Sequence, residues 1–491
     1  MKRSEKGSGR PLGIIIVGAS GDLAQRKIVP ALFALYCQGF LPRDFHVYGL
    51  ARTPMTHEEF RARLMMHLTC RYVPGESCAA RMAEFLGRCY YSAGQYGSVD
   101  AYLDLFQMMR GIEGRQAVDR IFYMAVPPSI FMQVARALGD SGLVACGSRK
   151  EWSRVVIEKP FGRDRASSDQ LVQEMGKVFT EEFTYRIDHY LGKEIVQNLM
   201  VLRFANLVFE PIWNREFVDS IHITWKEPVG VGLRGGYFDS FGILRDVMQN
   251  HLLQILALLA MEKPGDYSSA AVRDAKVSLL RCIPPPALDE VCVGQYAASP
   301  KGPAYKGEPS VPCDSLTATY AAALLRIRNP RWDGVPVFLD AGKAMNERIN
   351  EVRMRFKGVP GNIFGGQVGE LPANELVIRI QPDEAITMKV MNKTPGLDLK
   401  LEKTELNLRY QTAFKEEIPD AYECLLLDVI EGDRNLFIRS DELAAAWDVF
   451  TPVLHELESR RIQPEAYPFG GGMPEAAFGL ARRNGLSAVQ G

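Results

Sequence analysis

The sequence predicts a fold in two parts, an α/β part with a parallel sheet followed by an α+β part with a large, mainly antiparallel sheet. Up to about residue 185, apolar runs such as "GIIIVG", "FHVYGLA" and "RVVIEKP" alternate with helical patterns, which is typical of βαβ units. Beyond "RIDHY" the strands "NEVRMRF", "NELVIRI" and "AITMKVM" follow one another through turns, as in an antiparallel sheet. A long helix, "GILRDVMQNHLLQILALLAME", and a Pro/Gly-rich loop over about residues 283–312 separate the two patterns.

The composition is that of an ordinary globular chain, and it argues against several function classes. Of the 491 residues, 58 are Lys or Arg and 59 are Asp or Glu, so a net charge of −1 gives no global attraction to nucleic acid or to an anionic membrane. The longest apolar stretch, Leu252–Met261, is about half a membrane span. The nine cysteines are scattered without zinc spacing, which indicates a reduced, cytoplasmic setting and no metal site.

A glycine turn follows the first predicted strand. In "GIIIVGASGDLAQRK", Gly18 and Gly21 allow the backbone to approach a pyrophosphate, and the helix that follows offers its positive end to negative charge. The spacing is a relative of the usual dinucleotide fingerprint, and such turns are also common without a ligand. Together with the βαβ rhythm, the turn predicts a Rossmann-like coenzyme domain.

The end of the next strand distinguishes between two coenzymes. Sites for NAD usually carry an Asp or Glu there for the ribose 2′-hydroxyl, whereas this chain reads "YGLART". Arg52 can pair with a 2′-phosphate that an acid would repel, so the sequence favours NADP. The alternative is an ordinary surface arginine at the end of a strand.

Two of the seven histidines are candidates for the base that removes a hydroxyl proton during dehydrogenation. His189 directly follows Asp188, and on an extended segment adjacent side chains point to opposite faces. Asp188 would then orient another imidazole, that of His251, which lies on the long helix with Asp246 about one turn earlier. The alternative for His251 is a core histidine bonded to a backbone carbonyl, and His222, within an alternating strand, is interpreted as a packing residue.

The segment "RIDHYLGKE" also offers donors for a phosphate group. His189, Tyr190 and Lys193 lie within five residues and open the next helix, where a dianion is favoured. Lys159 in "VVIEKPFG" ends a buried strand, at the carboxyl edge where open α/β sheets bind ligands. The sequence therefore predicts a phosphorylated substrate held beside the base.

These motifs resemble the glucose-6-phosphate dehydrogenase family. "GASGDLA", "EKPFG", "RIDHYLGKE", "RDVMQNH" and "RWDGVP…GKAMNER" occur in the family's order over roughly residues 12–465, and "RIDHYLGK" is highly specific to it. With this resemblance, the chain divides into a disordered tail (residues 1–11), an NADP-binding Rossmann-like domain (12–187) and an α+β substrate and dimerisation domain (188–491).

The resemblance implies a reaction and a set of site residues. The reaction is NADP-dependent oxidation of D-glucose 6-phosphate at C1 to 6-phospho-D-glucono-1,5-lactone, the first, NADPH-producing step of the oxidative pentose phosphate pathway. His251 would be the base and Asp188 its partner. Substrate contacts are implied for Lys159, His189, Tyr190, Lys193, Glu227, Asp246, Lys343, Arg348 and Gln381. Coenzyme contacts are implied for Gly18, Ala19, Ser20, Gly21, Asp22, Leu23, Arg52, Tyr123 and Lys159.

The resemblance also implies self-association into a homodimer or tetramer, and two alternative functions stay open. Another NADP-dependent sugar dehydrogenase is one, because "EKP" after a Rossmann strand occurs in a wide oxidoreductase group. A binding-only NADPH sensor on the same scaffold is the other.

Some family members hold a second, non-catalytic NADP in the C-terminal domain. Basic residues remain here at matching positions, but an Arg, a Lys and a Tyr of those members are replaced. The remaining basic residues are Arg353, Arg379 and Lys389, and the replacements are Asp340, Ile349 and Thr387. Since an acid in place of Arg repels a phosphate, we expect this second site to be absent or much weakened.

Overall fold

The computed structural model describes residues 10–73, 75–144, 151–365, 369 and 371–486. Residues 1–9 of the predicted tail lie outside these ranges, and the first strand begins at Leu12.

The first half forms a six-stranded, fully parallel sheet, as the βαβ rhythm predicts. Its strands are β1 (Leu12–Val17), β2 (Phe45–Ala51), β3 (Cys89–Ala93), β4 (Asp119–Met124), β5 (Ser153–Glu158) and β6 (Thr184–Ile187). They are arranged 3-2-1-4-5-6, and every neighbouring pair is parallel. The strand order reverses between β1 and β4, and open parallel sheets bind ligands outside the carboxyl ends of the strands at such a point.

Helices connect these strands, because parallel neighbours need a crossover. They are α1 (Val29–Gln38), α2 (His57–Met65), α3 (Gly75–Gly87), α4 (Val99–Glu113), α5 (Phe131–Asp140) and α6 (Arg165–Gly176). Local sequence accounts for them: Thr56 and Glu59 form a capping box at the start of α2, and the buried Ala101, Leu105 and Met109 repeat every four residues along α4.

The second half is built on a nine-stranded sheet in the order 14-13-12-11-7-10-9-8-15. Its strands are β7 (Val218–Lys226), β8 (Val291–Ala297), β9 (Tyr320–Arg326), β10 (Pro336–Gly342), β11 (Ile349–Phe356), β12 (Glu375–Gln381), β13 (Ala385–Lys393), β14 (Leu401–Arg409) and β15 (Glu465–Pro468). The pairs β7–β10 and β8–β15 are parallel and the other pairs are antiparallel. The predicted fold class, an α/β part followed by an α+β part with a mainly antiparallel sheet, is confirmed.

The predicted long helix runs from Leu244 to Ala260 and has two windings. Leu244–Leu252 is π-helical, with hydrogen bonds that span five residues, and it continues into the α-helical α9 (Leu253–Ala260), which follows the short α8 (Gly235–Asp239) and α7 (Glu194–Phe204). The last carbonyl groups of α9 accept hydrogen bonds from buried side chains: Trp213 Nε1 donates to Leu259 and Trp332 Nε1 to Ala260, each at 2.8 Å. These bonds satisfy groups that a helix end leaves unpaired, and so they fix the helix that carries His251.

The remaining helices belong to the second half, and one of them packs against the first half of the chain. They are α10 (Ser269–Leu280), α11 (Tyr410–Ala413), α12 (Ala421–Glu431), α13 (Ser440–Ser459) and α14 (Glu475–Arg483). On α13, the Trp447 indole donates to the Phe161 carbonyl at 3.0 Å, so this helix packs on the loop after β5. The domain boundary after residue 187 stays a prediction.

Two features differ from the sequence-based expectations. The loop expected over residues 283–312 contains β8, whose apolar residues pair with β9 and β15. Cys70, in the loop after α2, and Cys78, on α3, form a disulfide, although their spacing matches no motif and the scattered cysteines predicted a reduced chain. Within the described residues, no helix has both the length and the apolar character needed to cross a membrane.

Candidate active site

The π-helical segment carries two of the predicted site residues. Asp246 and His251 are five residues apart, and the wider turn of a helix whose hydrogen bonds span five residues keeps this spacing on one side. Both therefore face the same side, toward the loops that follow β5 and β6. In an ordinary α-helix the same two residues would point about 140° apart.

His251 and Asp188 are in direct contact, as the sequence reasoning expects. The distance from His251 Nδ1 to Asp188 Oδ1 is 2.5 Å, and the two side chains are 3 % and 1 % exposed. Asp188 Oδ1 also accepts the backbone N–H of Tyr190 at 2.9 Å. Because a carboxylate can only accept hydrogen bonds, His251 must donate through Nδ1.

Lys159 contacts the opposite nitrogen of the same ring. Its Nζ lies 2.8 Å from His251 Nε2, 2.8 Å from the Asp246 carbonyl oxygen and 3.1 Å from Asp246 Oδ1. An ammonium group can only donate, so Nε2 accepts and carries the lone pair. The His251 ring is thus held neutral with Nε2 available, which is the form that a general base requires.

Burial and neighbouring charges set the protonation of this cluster. Burial lowers the pKa of His251, and the Asp188 carboxylate opposes part of that shift. Burial acts to raise the pKa of Asp188, but the charge and hydrogen bond of His251 outweigh it, and the pKa falls. Burial likewise opposes the effect of Lys159 on Asp246, which lowers the pKa of that carboxyl to about 2. Near neutral pH, therefore, both carboxylates are charged and the imidazole is neutral.

His189 contacts the His251 ring, and it does not lie on the opposite face from Asp188. The sequence reasoning assumed an extended segment with Asp188 and His189 on opposite faces, but β6 ends at Ile187 and the chain turns, with Leu191 N–H donating to the Asp188 carbonyl at 3.0 Å. The His189 and His251 rings meet edge to face with centroids 4.8 Å apart. The expectation of opposite faces was wrong because it required a strand that had already ended.

The predicted phosphate-binding residues lie around one buried phenol. Tyr190 stacks on His251 with centroids 4.1 Å apart, and its hydroxyl accepts the indole N–H of Trp225 at 2.6 Å. The Lys193 ammonium lies 5.0 Å from the centroid of the Tyr190 ring. Because the Tyr190 oxygen already accepts a hydrogen bond, its own proton is available for a ligand.

Two of the substrate residues predicted on the second sheet, Lys343 for the phosphate and Glu227 for the sugar, form an ion pair. Lys343 Nζ lies 3.0 Å from Glu227 Oε2, at the ends of β10 and β7. Arg348 is exposed just before β11, and Gln381 ends β12. The predicted substrate residues therefore come from the ends of several strands, around the dyad and Tyr190.

The coenzyme side is formed by the loops after β1 and β2. Gly18 has a positive φ of 96°, and a Cβ there would collide with the Ala125 carbonyl oxygen, so the close turn requires glycine. Asp22 is exposed and follows this turn, with Ala19, Ser20, Gly21 and Leu23 in the same segment. This turn at the switch point fits a dinucleotide pyrophosphate.

Arg52 borders a cavity formed by the loop after β3 and by α5. The guanidinium of Arg52 is exposed and lies 5.4 Å from the centroid of the Tyr96 ring. The cavity has a volume of about 560 Å³, and its lining includes Gln95, Ser98, Gln133 and Arg136. An arginine stacked on an aromatic ring next to such a cavity fits an adenosine phosphate.

Tyr123 does not reach this cavity. Its side chain is fully buried, and the hydroxyl donates to Glu158 Oε1 at 2.5 Å. Burial raises the pKa of Glu158 to about 7, although the Tyr123 hydrogen bond opposes the shift. Glu158 was missed by the sequence reasoning, which treated it only as part of a buried strand. A contact between Tyr123 and the coenzyme stays a prediction.

A group that offers metal ligands coincides with the dyad. Ligand atoms of Asp188, His189 and His251 lie within 4.8 Å of one another. The Lys159 ammonium at His251 Nε2 would repel a cation there. The dyad hydrogen bond also engages the other His251 nitrogen, so the geometry favours proton transfer over metal binding.

The three basic residues considered for a second nucleotide are paired with acids. Arg353 lies 2.7 Å from Glu351 and 2.9 Å from Glu375, and Lys389 lies 3.6 Å from Glu375. Arg379 lies 3.7 Å from Glu351. A phosphate bound here would have to compete with both glutamates.

Comparisons with known proteins agree over nearly the whole chain. Residues 15–198 match the family described as glucose-6-phosphate dehydrogenase, NAD binding domain, and residues 200–488 match its C-terminal domain. The chain is 50 % identical over 479 residues to glucose-6-phosphate 1-dehydrogenase 1, chloroplastic, of Arabidopsis thaliana, which covers 96 % of this chain and 82 % of that protein. It is 48 % identical over 482 residues to glucose-6-phosphate 1-dehydrogenase of Dictyostelium discoideum. That match covers 97 % of this chain and 94 % of the relative.

A solved structure is similar as well. A glucose-6-phosphate dehydrogenase in complex with its substrate glucose-6-phosphate superimposes with a TM-score of 0.91 at 41 % identity, covering 98 % of this chain and 99 % of that one.

Proposed function

The chain belongs to the glucose-6-phosphate dehydrogenase family, and we propose that it oxidises D-glucose 6-phosphate at C1 to 6-phospho-D-glucono-1,5-lactone with NADP as the coenzyme. This reaction produces NADPH and is the first step of the oxidative pentose phosphate pathway. The observation that supports the proposal best is the buried dyad, with His251 Nδ1 at 2.5 Å from Asp188 and Nε2 free of a proton.

The dyad performs the proton transfer. His251 Nε2 takes the proton of the C1 hydroxyl, and Asp188 stabilises the imidazolium that forms. When bound, the nicotinamide coenzyme accepts the hydride that leaves C1, and C1 becomes the lactone carbonyl carbon. Lys159, which donates to Nε2 in the free protein, has to yield this position to the sugar hydroxyl. Its other contact, with Asp246, keeps its ammonium beside the dyad.

The phosphate group is held by Lys193, His189 and the Tyr190 hydroxyl, assisted by Lys343 and Arg348. Lys193 is half-buried, so a hydrogen bond from it to a dianion is charge-assisted and only partly screened. Glu227, Asp246 and Gln381 take sugar hydroxyls.

NADP is the coenzyme that Arg52 supports. Within the described part of the chain, no ion pair occupies the Arg52 side chain, and a 2′-phosphate would provide its partner. A cytoplasmic location and self-association as a homodimer or tetramer stay predictions from the sequence.

The test is a matrix of initial rates of coenzyme reduction. Glucose 6-phosphate, galactose 6-phosphate and free glucose are each assayed with NADP⁺ and with NAD⁺. We expect the highest kcat/KM for glucose 6-phosphate with NADP⁺. A higher value for galactose 6-phosphate or free glucose would indicate another sugar dehydrogenase, and NADPH binding without turnover of any sugar would indicate a sensor.

The matched control is His251→Asn. It should keep the fold and bind substrate, with kcat lower by about 10²–10⁴, the usual contribution of general acid–base catalysis. Wild-type kcat in a folded variant would remove His251 from the mechanism.

A further inference from the structure

The side chain of Asn350 on β11 is a buried amide. Its side chain is 2 % exposed, and among the described residues neither Oδ1 nor Nδ2 forms a hydrogen bond. Buried polar atoms in folded proteins are nearly always satisfied by protein, ordered water or ligand. An amide with both ends unpaired is therefore a position where a bound group is expected.

The position of Asn350 in the sheet places it at the substrate. In the registers of β11 with its two neighbours, Asn350 lies opposite Trp225 on β7 and opposite Gln381 on β12. Trp225 is the residue that donates to the Tyr190 hydroxyl. Asn350 thus stands between the strand that supports Tyr190 and the strand that ends in Gln381.

The Asn350 amide is close to the Tyr190 hydroxyl. Burial raises the pKa of Tyr190, and the nearby groups of Trp225 and Asn350 oppose that shift. The geometry nevertheless falls short of a hydrogen bond between Tyr190 and Asn350. A group bound between the two side chains would complete the hydrogen bonding of both.

Two basic residues lie near the same position. Arg348 precedes Asn350 by two residues, and Lys193 lies over the Tyr190 ring. A neutral amide donor among two cations and a phenol suits an oxyanion, since each phosphate oxygen accepts more than one hydrogen bond.

We infer that Asn350 Nδ2 donates a hydrogen bond to the phosphate of the hexose 6-phosphate and so increases the preference for phosphorylated over free sugar. The inference rests on the proposed function, since it names a further contact of the same substrate.

The test compares Asn350→Ala and Asn350→Asp with the wild type on glucose 6-phosphate and on free glucose. A hydrogen bond to a charged group changes affinity by about 10- to 100-fold, so Asn350→Ala should raise KM for glucose 6-phosphate by about tenfold or more. The ratio of kcat/KM for the two sugars should fall by a similar factor. Asn350→Asp should lose more, because its carboxylate repels the phosphate. The KM for NADP⁺ should stay unchanged.

Inorganic phosphate supplies a readout that does not depend on turnover. As a competitor of glucose 6-phosphate, it should inhibit Asn350→Ala less than the wild type, with an inhibition constant higher by about tenfold. The matched control is Asn435→Ala, a buried asparagine (6 % exposed) in the loop before α13, which should alter stability but not KM. If Asn350→Ala fails to fold, the smaller polar Asn350→Ser is measured in its place.

An unchanged KM for glucose 6-phosphate in a folded variant would overturn the inference, and so would equal losses with phosphorylated and free sugar. A wild-type protein that turns over no hexose 6-phosphate would instead refute the proposed function.

Discussion

Replacing Asp188 by Asn removes the charge of the dyad while keeping the size of the side chain. Asp188 Oδ1 accepts hydrogen bonds from both His251 Nδ1 and the Tyr190 N–H, whereas Oδ2 has no hydrogen-bond partner within the described residues. Both side chains of the dyad are at least 97 % buried, with exposures of 3 % and 1 %. Water therefore has little access to compensate for the change.

The new amide can adopt two orientations, and we expect lower activity in both. If its oxygen stays at the Oδ1 position, its NH₂ group replaces Oδ2 and is buried without an acceptor, which costs about 1–3 kcal/mol of stability. If the amide turns, NH₂ donates to His251 Nδ1, and the proton moves to Nε2, which can then no longer act as a base. In both orientations the imidazolium forms without a neighbouring carboxylate.

We expect kcat of Asp188→Asn to fall by about 10²–10⁴, which corresponds to about 3–5 kcal/mol in the barrier. The KM for glucose 6-phosphate should change little, because Asp188 holds the base and not the phosphate. The pH profile of kcat/KM adds a second readout. Activity requires neutral His251 and so falls as the pH drops through its pKa. Because Asp188 raises that pKa, its loss should move the fall in activity to lower pH.

The assay is the initial rate of NADPH formation, with circular dichroism and thermal unfolding as checks on folding. The chain offers a matched control in Asp340→Asn. Asp340 is fully buried and lies 2.6 Å from His222 Nε2, so this variant neutralises a second buried Asp–His pair away from the reacting groups. We expect the control to lose stability and to keep its kcat. A folded Asp188→Asn enzyme with kcat within about threefold of the wild type would refute the reasoning, as would equal losses in both variants.

Three further predictions concern the ligands. Lys193→Ala should raise KM for glucose 6-phosphate by about 10- to 100-fold, since a hydrogen bond to a charged group is worth about 1.5–3 kcal/mol, with little effect on NADP⁺; a proportional loss with free glucose would contradict a phosphate role. Arg52→Ala should raise KM for NADP⁺ and leave KM for NAD⁺ nearly unchanged, because only the 2′-phosphate contact is lost; equal losses with both coenzymes would indicate a structural role. Calorimetry should find one tightly bound NADP⁺ per subunit, because Glu351 and Glu375 pair with the basic residues of the second position; two tight sites would show this expectation to be wrong.

Local pattern was sufficient for the parallel sheet and insufficient for the second sheet. The strands of the first sheet are continuous apolar runs that alternate with helices, and this alternation is typical of parallel strands joined by helical crossovers. In the second sheet, β7 and β10 pair in parallel although more than 100 residues separate them. No local pattern in the sequence indicates that pairing. The strand β8 was missed because its short run lies between Pro-rich flanks.

The site residues that lie together in one sequence motif could be predicted. Asp188 and Lys193 were visible in "RIDHYLGKE", and the two remaining histidines narrowed the choice of base. Contacts between distant segments could not be predicted from a motif. The hydrogen bonds from Trp225 to Tyr190 and from Tyr123 to Glu158 form only because the fold brings separate strands together. Within its own segment, Glu158 resembles any other strand residue, because the adjacent sequence does not indicate that Tyr123 is its partner.

The active site depends on the winding of its helix as well as on the identity of the residues there. Asp246 and His251 both reach Lys159 because the wider π-helical turn keeps residues five apart on one side of the helix. The five-residue spacing depends on this winding, because in ordinary α-helix of the same length the two side chains would lie about 140° apart. Deleting a single residue between them, such as Val247, would allow the segment to relax into α-helix with a four-residue spacing, which leaves the two side chains about 40° apart. In a library of variants, the stretch from Leu244 to Leu252 should therefore tolerate exchanges of apolar side chains that keep the π-helical winding, and a change to α-helix at the same length should separate Asp246 from His251.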